Sequence, residues 1–271
     1  MSRIPVLMYH HIAEDREVTP AQFEGHLKFL AGNGYRSPDL AEFYALLTGA
    51  KRTKDKLVVL TFDDGYVDNW ICAWPLLKKY GFRAVVFVAT GKLREAAEGI
   101  SPTLEEGALS PQTWKDERLP ARFLSWAELK VMTGSGVFEA GSHTHTHRDF
   151  VQRSVFKDLE GELATSSRLI AERTGVKPFS IAWPWGDYEE GWDGLAKKAG
   201  YKMSFTTVPG VSKPGDDPLH IKRVRVASGT IRWFKSRLML HRLPVIAELY
   251  GKFYGLDGRL KRKLRPPKRS T

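Results

Sequence analysis

The feature that most constrains the fold is an alternation of short apolar runs with helical runs. Lys56–Phe62 (KLVVLTF) and Ala84–Ala89 (AVVFVA) are typical of buried strands, and a helical pattern near Asn69–Tyr80 lies between them. Strands without a polar face that alternate with helices are characteristic of a parallel sheet covered by helices. The chain is therefore predicted to be an α/β protein.

The same alternation extends along most of the chain and predicts six or seven strands. The further strands are Pro5–Tyr9, Val137–Ala140, Ser180–Trp183, Lys202–Thr206 and Ile221–Val226. The further helices are Pro20–Asn33, Ser37–Leu47, Ser125–Thr133, Val155–Thr174 and Trp192–Ala199. A polar segment, about residues 91–123, is expected to be a long loop over one mouth of the fold. Because an eight-stranded barrel needs more strands, we favour a distorted (β/α)7 barrel over an open sheet.

Positive charge is concentrated at the C-terminal end. The net charge is +11, and residues 230–271 contain 12 Lys and Arg against two acids, which leaves residues 1–229 at +1. We therefore divide the chain into a catalytic barrel of residues 1–229 and a basic extension of residues 230–271. Residues 231–243 mix apolar and basic side chains as an amphipathic helix does. This pattern predicts either peripheral contact with an anionic membrane or a helix that caps the barrel before a disordered end.

The rest of the sequence gives no support to several other classes of protein. No nucleic-acid-reading fold is evident, so nucleic-acid binding is not expected. Cys72 is the only cysteine, which excludes a disulfide framework and a cysteine-based zinc site. The first apolar stretch breaks at Tyr9-His10-His11, too early for a secretory signal, and no run approaches the roughly 18 apolar residues of a membrane span. The expected location is the cytoplasm, at the inner membrane face if the extension binds lipid.

Clusters of polar and aromatic residues follow four of the predicted strands. They are Tyr9-His10-His11, Asp63-Asp64-Gly65-Tyr66, His143-Thr144-His145-Thr146-His147 and Pro184-Trp185-Gly186. In a parallel barrel the C-terminal ends of all strands converge on one face. The four clusters are therefore predicted to form one site although they are far apart in the sequence.

The residue types in these clusters indicate a metal-assisted hydrolysis. Adjacent carboxylates are costly to bury unless cations or donors offset them, and successive strand residues point in opposite directions. Asp63 and Asp64 are therefore expected to have different roles. Two imidazoles four residues apart, with one carboxylate, form a site with open positions that suits Zn²⁺, Fe²⁺, Co²⁺ or Ni²⁺. The second carboxylate is then free to act as a general base on water.

Two of these clusters resemble the motifs of a known family. Thr61–Tyr66 (TFDDGY) resembles the TFDDG motif of the polysaccharide deacetylases, also described as the NodB-homology fold or carbohydrate esterase family 4. His143–His147 (HTHTH) is similar to the H[ST]xxxH-type metal motif of that family. The opening Pro5–Ile12 (PVLMYHHI) resembles the branch that deacetylates poly-N-acetylglucosamine. The resemblance covers about residues 4–229.

The resemblance implies a function, a cofactor and roles for these residues. It implies a NodB-type barrel that hydrolyses the acetamide of N-acetylated amino sugars, in a bacterial polysaccharide or a lipid-linked glycan precursor. Asp64, His143 and His147 would hold a divalent metal, with Zn²⁺ favoured over Co²⁺, Ni²⁺ or Fe²⁺, and Asp63 would be the general base. His145 is an alternative ligand in place of one neighbour. The alternative function is a catalytically impaired carbohydrate-binding module on the same barrel.

The chain departs from the family pattern in its third motif. The RxPxG motif appears as Ala182–Gly186 (AWPWG), with Ala182 in place of the arginine that tunes the base. Arg223 or Arg225, on the last predicted strand, is the candidate replacement. Near Pro184, the backbone N–H of Trp185 would help to bind the oxyanion.

The remaining roles fall on histidine and aromatic residues. The late histidine motif of the family is not evident after Leu219, and in the branch that deacetylates poly-N-acetylglucosamine its role falls on the N-terminal Tyr-His segment. The resemblance therefore implies His10 as the general acid, with His11 and His220 as weaker candidates. The aromatic candidates for sugar stacking or for the acetyl pocket are Trp185, Trp183 and Tyr66.

Overall fold

The structure of the protein is a computed structural model. It describes residues 3–95, 123–150, 158–186 and 188–242. Residues 96–122 of the predicted long loop and the extension beyond residue 242 lie outside the described residues. The predicted start of the fifth helix, at residues 155–157, also lies outside them.

Seven parallel strands form a closed barrel. The strands are β1 (Ile4–Tyr9), β4 (Val59–Phe62), β5 (Ala84–Val88), β6 (Phe138–Ser142), β7 (Ser180–Ala182), β8 (Met203–Pro209) and β10 (Ile221–Arg225). The barrel closes where β10 pairs with β1, with Leu7 opposite Val224 and Met8 opposite Arg225. The predicted (β/α)7 architecture is confirmed.

Three short strands supplement the barrel. They are β2 (Tyr35–Arg36), β3 (Lys56–Leu57) and β9 (Val211–Ser212). β2 and β3 form a separate two-stranded sheet, and β9 runs antiparallel to the start of β1. The predicted strand Lys56–Phe62 is thus two strands, β3 and β4, in different sheets. β2 and β9 were not predicted, because two residues are too few to show a strand period.

Seven helices are described, and their ends follow local sequence signals. They are α1 (Pro20–Gly32), α2 (Leu40–Leu47), α3 (Trp74–Tyr80), α4 (Trp126–Gly134), α5 (Leu159–Thr174), α6 (Trp192–Lys198) and α7 (Ile231–Arg242). Thr19 and Ser125 form capping boxes at the starts of α1 and α4. α2 begins three residues later than predicted because Asp39 caps it, accepting from the Glu42 N–H at 2.7 Å. A π-helical turn, Asn69–Ala73, precedes α3.

The strands are buried on both faces, as the apolar runs predicted. On β4, Leu60 and Phe62 belong to the core cluster that includes residues of α1, α3 and α4. Val59 belongs to the cluster that includes Val85, Phe87 and residues of α2. Because successive side chains of a strand point to opposite faces, Asp63 is expected on the same inward face as Val59 and Thr61.

The described part of the basic extension packs on the barrel. Phe234 and Leu238 of α7 are buried in the same cluster as α1. The Phe234 ring stacks on His26, with ring centroids 3.9 Å apart. The Nε2–H of His26 donates to the Gly229 carbonyl at 2.8 Å, and its Nδ1 lies 3.2 Å from the Tyr9 hydroxyl. The apolar stripe of α7 is thus used inside the protein, as in the barrel-capping alternative.

Among the described residues, no helix combines the length and the apolar character that crossing a bilayer requires.

Candidate active site

Asp63 directly follows β4 and is held by a buried guanidinium. Its two carboxylate oxygens accept hydrogen bonds from both terminal nitrogens of Arg223, at 2.6 and 2.8 Å. The Asp63 side chain is 4% exposed and that of Arg223 is fully buried. Arg223 also donates to the Thr206 carbonyl at 2.8 Å and to the Thr61 hydroxyl at 3.2 Å. A two-point ion pair whose remaining donors are satisfied is the arrangement that offsets the cost of burying both charges.

This ion pair keeps Asp63 ionised. Burial alone would raise the pKa of the carboxyl, but the charge of Arg223, the neighbouring histidines and the hydrogen bonds hold the pKa below its ordinary value. Of the two arginines predicted as candidates for this role, Arg223 makes the contact. Arg225 pairs instead with Glu17 at 2.6 Å, and its side chain is 57% exposed. The structure therefore does not bring Arg225 to Asp63.

Asp64, His143 and His147 converge as a group that can hold a metal ion. Their ligand atoms all lie within 4.8 Å of one another. Oδ1 of Asp64 is 3.0 Å from Nε2 of His147 and 3.5 Å from Nε2 of His143. The side chains are 3–13% exposed. Two imidazole nitrogens and one carboxylate oxygen form a donor set that fits Zn²⁺ and similar divalent ions.

The first of these imidazoles is oriented and neutral. The Nδ1–H of His143 donates to the Ala182 carbonyl at 2.7 Å, so the lone pair of Nε2 faces the group. Burial, then the neighbouring His147, lowers the pKa of His143 to about 4. A neutral imidazole is the form that binds a metal, so the fold holds His143 in a form that could act as a ligand.

Strained backbone is concentrated in this site. Four non-glycine residues among those described have positive φ: Asp64 (75°), Thr144 (63°), His147 (57°) and Trp185 (62°). Each such residue costs about 1–3 kcal/mol and persists only where the surroundings impose it. All four lie in loops that follow β4, β6 or β7. The left-handed backbone at Asp64 directs its side chain away from that of Asp63, and the same conformation at Thr144 and His147 lets the chain return His147 to His143.

His145 is directed away from the other two histidines of its segment. Its Nδ1 lies 2.9 Å from the Thr90 hydroxyl, and the ring is not part of the metal-binding group. Glu162 of α5 fixes this segment. Its carboxylate accepts from the backbone N–H groups of His145 and Thr146 at 2.9 and 2.8 Å, and from the Thr146 hydroxyl at 2.8 Å. This geometry gives no support to His145 as a replacement ligand.

The three candidate general acids occupy different places. His10 lies close enough to Asp63 and Asp64 to contribute to the lowering of the pKa of both carboxyls. The Nδ1 of His11 lies 2.6 Å from Asp68, a carboxylate that is 3% exposed. His220 directly precedes β10 and contacts Asp217 and Asp193, at 3.0 and 3.4 Å.

The aromatic candidates also differ in their surroundings. The Tyr66 ring stacks on His11, with centroids 3.7 Å apart, and on Phe123 at 5.2 Å. A sugar could stack on Tyr66 only by displacing one of these rings. Burial, then the charge of Asp64 and a hydrogen bond to it, raises the pKa of Tyr66, so the hydroxyl keeps its proton and donates to Asp64.

The tryptophans differ in exposure. Trp183 is fully buried and packs against Trp192, so it belongs to the core. Trp185 is 43% exposed, and its ring centroid lies 5.4 Å from that of His147. Pro184 is buried at the start of the turn that presents Trp185. Trp185 is therefore the candidate with an accessible aromatic surface beside the metal-binding group.

Sequence reasoning missed two supporting acids, Asp68 and Glu162. Asp68 follows Asp64 by four residues, and its proximity to the motif was an available signal. Glu162 lies within a helix whose sequence contains other acids, and nothing in that pattern distinguishes it.

A model of the family described as polysaccharide deacetylase matches residues 50–204, more than half of the chain. The chain belongs to the polysaccharide deacetylase family. The matched region contains Asp63, Asp64, His143 and His147, but neither His10 nor Arg223. The chain is accordingly a hydrolase of the class that cleaves amide bonds in acetylated glycans.

Individual relatives extend the likeness over more of the chain. The protein YxkH of Bacillus subtilis (strain 168), whose name assigns it to the polysaccharide deacetylases, is 30% identical over 230 residues, 84% of this chain and 73% of that protein. The poly-beta-1,6-N-acetyl-D-glucosamine N-deacetylase of Staphylococcus aureus (strain MRSA252) is 24% identical over 78% of this chain and 68% of its own length. The solved structure of the Streptococcus pyogenes deacetylase PplD in complex with acetate has a TM-score of 0.69 and 26% identity, covering 89% of this chain and 99% of that one.

Proposed function

We propose that this enzyme removes acetyl groups from N-acetylated amino sugars of a bacterial glycan, with a divalent metal bound by Asp64, His143 and His147. The observation that carries the proposal is the separation of two carboxylates that are adjacent in sequence. Asp63 is paired with Arg223, and Asp64 faces two imidazoles. One group is thus available for proton transfer and the other for metal binding.

Zn²⁺ is the proposed ion, because one carboxylate and two imidazoles leave positions open for water and substrate. When bound, the ion would polarise the acetamide carbonyl and lower the pKa of water at the site. The chemistry of the donor set also admits Co²⁺, Ni²⁺ and Fe²⁺.

The residues of the chain divide the proton transfers between them. Asp63 accepts a proton from the attacking water, and Arg223 keeps its carboxylate ionised beforehand. The oxygen of that water bonds to the acetamide carbon, and the carbon–nitrogen bond then breaks. His10 gives a proton to the departing sugar nitrogen. Acetate and a free amine leave, so one water is consumed for each bond cleaved.

Two further groups assist in this proposal. The backbone N–H of Trp185 donates to the developing oxyanion from the turn that follows β7. The Tyr66 hydroxyl donates to Asp64 and holds the orientation of that carboxylate. Both lie on loops at the C-terminal end of the barrel, where the four polar clusters converge.

The substrate class is supported by the names of two relatives. One acts on poly-beta-1,6-N-acetyl-D-glucosamine, and another is a deacetylase whose structure holds acetate. We therefore propose a glycan rich in N-acetylglucosamine as the substrate, either polymeric or lipid-linked.

Acetate release from N-acetylglucosamine oligomers, measured with and without added Zn²⁺, tests this function. Asp63→Asn keeps the size of the side chain but removes the base, and turnover should fall at least a hundredfold. Asp15→Asn, at an exposed loop position, is the matched control and should retain activity. Stoichiometric metal binding with no acetate release from any glycan would instead support the alternative of an impaired carbohydrate-binding module.

A cytoplasmic location with peripheral membrane contact is a separate proposal. Because Phe234 and Leu238 pack on the barrel, contact by α7 would use its exposed Arg232 and Lys235 together with the charges that follow residue 242. Co-sedimentation with vesicles containing anionic lipid tests it. Binding should weaken in Arg232→Glu/Lys235→Glu and in a chain shortened after Arg242. Equal binding by all three proteins would refute contact through the extension.

A further inference from the structure

Residues 123–125, which we call the return segment, lie against the loop that carries Asp64. The Leu124 N–H donates to the Gly65 carbonyl at 2.8 Å. Asp64 and Gly65 both have positive φ, at 75° and 76°. Such a conformation persists in a non-glycine residue only where the surrounding structure imposes it. The return segment is therefore one of the contacts that hold the backbone of Asp64 in place.

The side chain of Phe123 covers one face of the Tyr66 ring. The two rings are nearly parallel, with centroids 5.2 Å and planes 20° apart, and their residues pair as an isolated antiparallel bridge. His11 covers the other face, with centroids 3.7 Å apart. A ring packed on both faces keeps its tilt, so its hydroxyl keeps one direction. Because that hydroxyl is hydrogen-bonded to Asp64, Phe123 is in a position to act on Asp64 through Tyr66.

The return segment is itself anchored by Arg94, which follows β5. The Arg94 N–H donates to the Leu124 carbonyl at 2.9 Å, and its Nε–H donates to the Phe123 carbonyl at 2.8 Å. The guanidinium also lies 3.1 Å from Glu128 of α4, whose side chain is fully buried. A buried carboxylate needs such a partner, and the pair fixes the guanidinium in turn. Phe123 thus packs on Tyr66 from a rigid support.

The segment that precedes Arg94 contacts the other loop of the metal-binding group. The Gly91 N–H donates to the His145 carbonyl at 2.8 Å, and the Thr90 N–H donates to the Thr144 carbonyl at 3.3 Å. The two segments that flank residues 96–122 therefore contact the two loops that carry the proposed metal ligands. Only the return segment contributes an aromatic ring that packs on Tyr66.

We infer that Phe123 is a positioning residue, whose ring holds the Tyr66 hydroxyl on Asp64 and thereby raises the affinity of the site for a divalent metal. The inference rests on the metal site of the proposed function. Phe123 is far from Asp64 in the sequence and belongs to none of the four polar clusters.

Zn²⁺ affinity, measured by chelator competition on the full chain, tests this role without any substrate. Groups that orient a metal ligand typically change metal affinity about ten- to a hundredfold. Tyr66→Phe removes the hydroxyl and should weaken Zn²⁺ binding by about that factor. Phe123→Leu should weaken it about tenfold, whereas Phe123→Tyr keeps the ring and should bind Zn²⁺ as the wild type does.

A double variant shows whether the ring acts through the hydroxyl. If it does, Phe123→Leu has nothing left to disturb once the hydroxyl is absent. Tyr66→Phe/Phe123→Leu should then bind Zn²⁺ within about twofold of Tyr66→Phe alone. Two independent effects would multiply instead.

Phe179→Leu is the matched control, because Phe179 has similar partners elsewhere in the barrel. Its ring lies 5.5 Å from that of Tyr44, and Nζ of Lys202 lies 5.3 Å from its centroid. For Phe123 the corresponding lysine is Lys92, at 5.2 Å. Both rings are partly buried against the core. Urea unfolding should show similar losses of stability in the two leucine variants, but Phe179→Leu should keep wild-type Zn²⁺ affinity.

The outcomes separate this inference from the proposed function. Wild-type Zn²⁺ affinity in Phe123→Leu overturns the positioning role, as do multiplied losses in the double variant. An equal loss of affinity in Phe179→Leu also refutes it, because loosened packing alone would then explain the effect. If Zn²⁺ affinity differs among the variants as expected but the wild type releases no acetate from any glycan, the proposed deacetylation fails alone. A wild type that binds no divalent metal overturns the metal site and this inference together.

Discussion

Replacing Arg223 by methionine should separate the stability of the barrel from its chemistry. The variant leaves Asp63 without the partner that contacts both of its oxygens, at 2.6 and 2.8 Å, in a site where neither side chain is more than 4% exposed. Breaking a buried pair by removing one partner costs about 3–5 kcal/mol, because an uncompensated charge stays buried. Loss of the donors to Thr206 and Thr61 adds to this cost.

The same change should shift the pH dependence of catalysis. In the wild type, burial raises the pKa of Asp63, and Arg223 together with the neighbouring histidines more than offsets this effect. Without the guanidinium only the histidines oppose burial, so the pKa of Asp63 rises. A base with a higher pKa is protonated over a wider pH range. The acid limb of the kcat profile should therefore move to higher pH.

Urea unfolding and acetate release on the same proteins provide the assay. Arg223→Met should lower the free energy of unfolding by about 3–5 kcal/mol. The double variant Arg223→Met/Asp63→Asn should recover most of that loss, because it no longer buries an unpaired charge, yet it should remain inactive. Arg223→Lys should retain part of the activity, since its charge is kept without the two-point geometry. A double variant as unstable as the single one, or full activity in Arg223→Met, would refute this reasoning.

Three further predictions concern supporting residues. Burial lowers the pKa of His26 to about 4 from about 6.5 in the unfolded chain, so stability present above pH 6.5 is lost as pH falls toward 4, by at most about 3 kcal/mol. In His26→Gln, urea titrations at pH 7 and 4.5 should show a smaller loss than in the wild type. Glu162→Gln should weaken Zn²⁺ binding by about ten- to a hundredfold in chelator competition. The neighbouring surface change Glu160→Gln should leave Zn²⁺ binding unchanged. If both variants bind Zn²⁺ equally tightly, Glu162 does not support the metal-binding group. His10→Gln should slow amide hydrolysis by about 10²–10⁴-fold but spare an aryl acetate, whose leaving group needs no proton. A larger amide-specific loss in His11→Gln would transfer the general acid to His11.

The sequence predicted the barrel well because its strands are apolar on both faces and its helices carry clear caps. It also predicted which clusters would meet, because parallel strands direct their C-terminal ends to one face. Asp64, His143 and His147 are brought together for this reason. Which individual side chains contact each other within the site could not be predicted in the same way.

The choice between Arg223 and Arg225 illustrates the difficulty. Strict alternation places both on one face of β10, yet Arg223 is buried and Arg225 is exposed. Arg225 is the last residue of β10, and its side chain pairs with Glu17 of the loop after β1 instead. Which arginine reaches Asp63 thus depends on contacts between distant parts of the chain.

His145 shows the same limit within a loop. On an extended segment it would share a face with His143 and His147. Positive φ values at Thr144 and His147 interrupt the extended backbone, and His145 turns toward Thr90 instead. Such conformations of non-glycine residues are imposed by the surrounding structure, so local sequence preferences do not reveal them.

The closure of β10 on β1 has a consequence for how the enzyme would lose activity. The proposed metal ligands and the carbonyl that orients His143 all lie between Asp64 and Ala182, whereas the partner of the proposed base comes from the last strand and the proposed acid follows the first. If mild denaturant loosened the pairing of β10 with β1, turnover would stop while a bound metal ion would still be held. Catalytic activity in this fold is therefore a more sensitive indicator of barrel integrity than metal content.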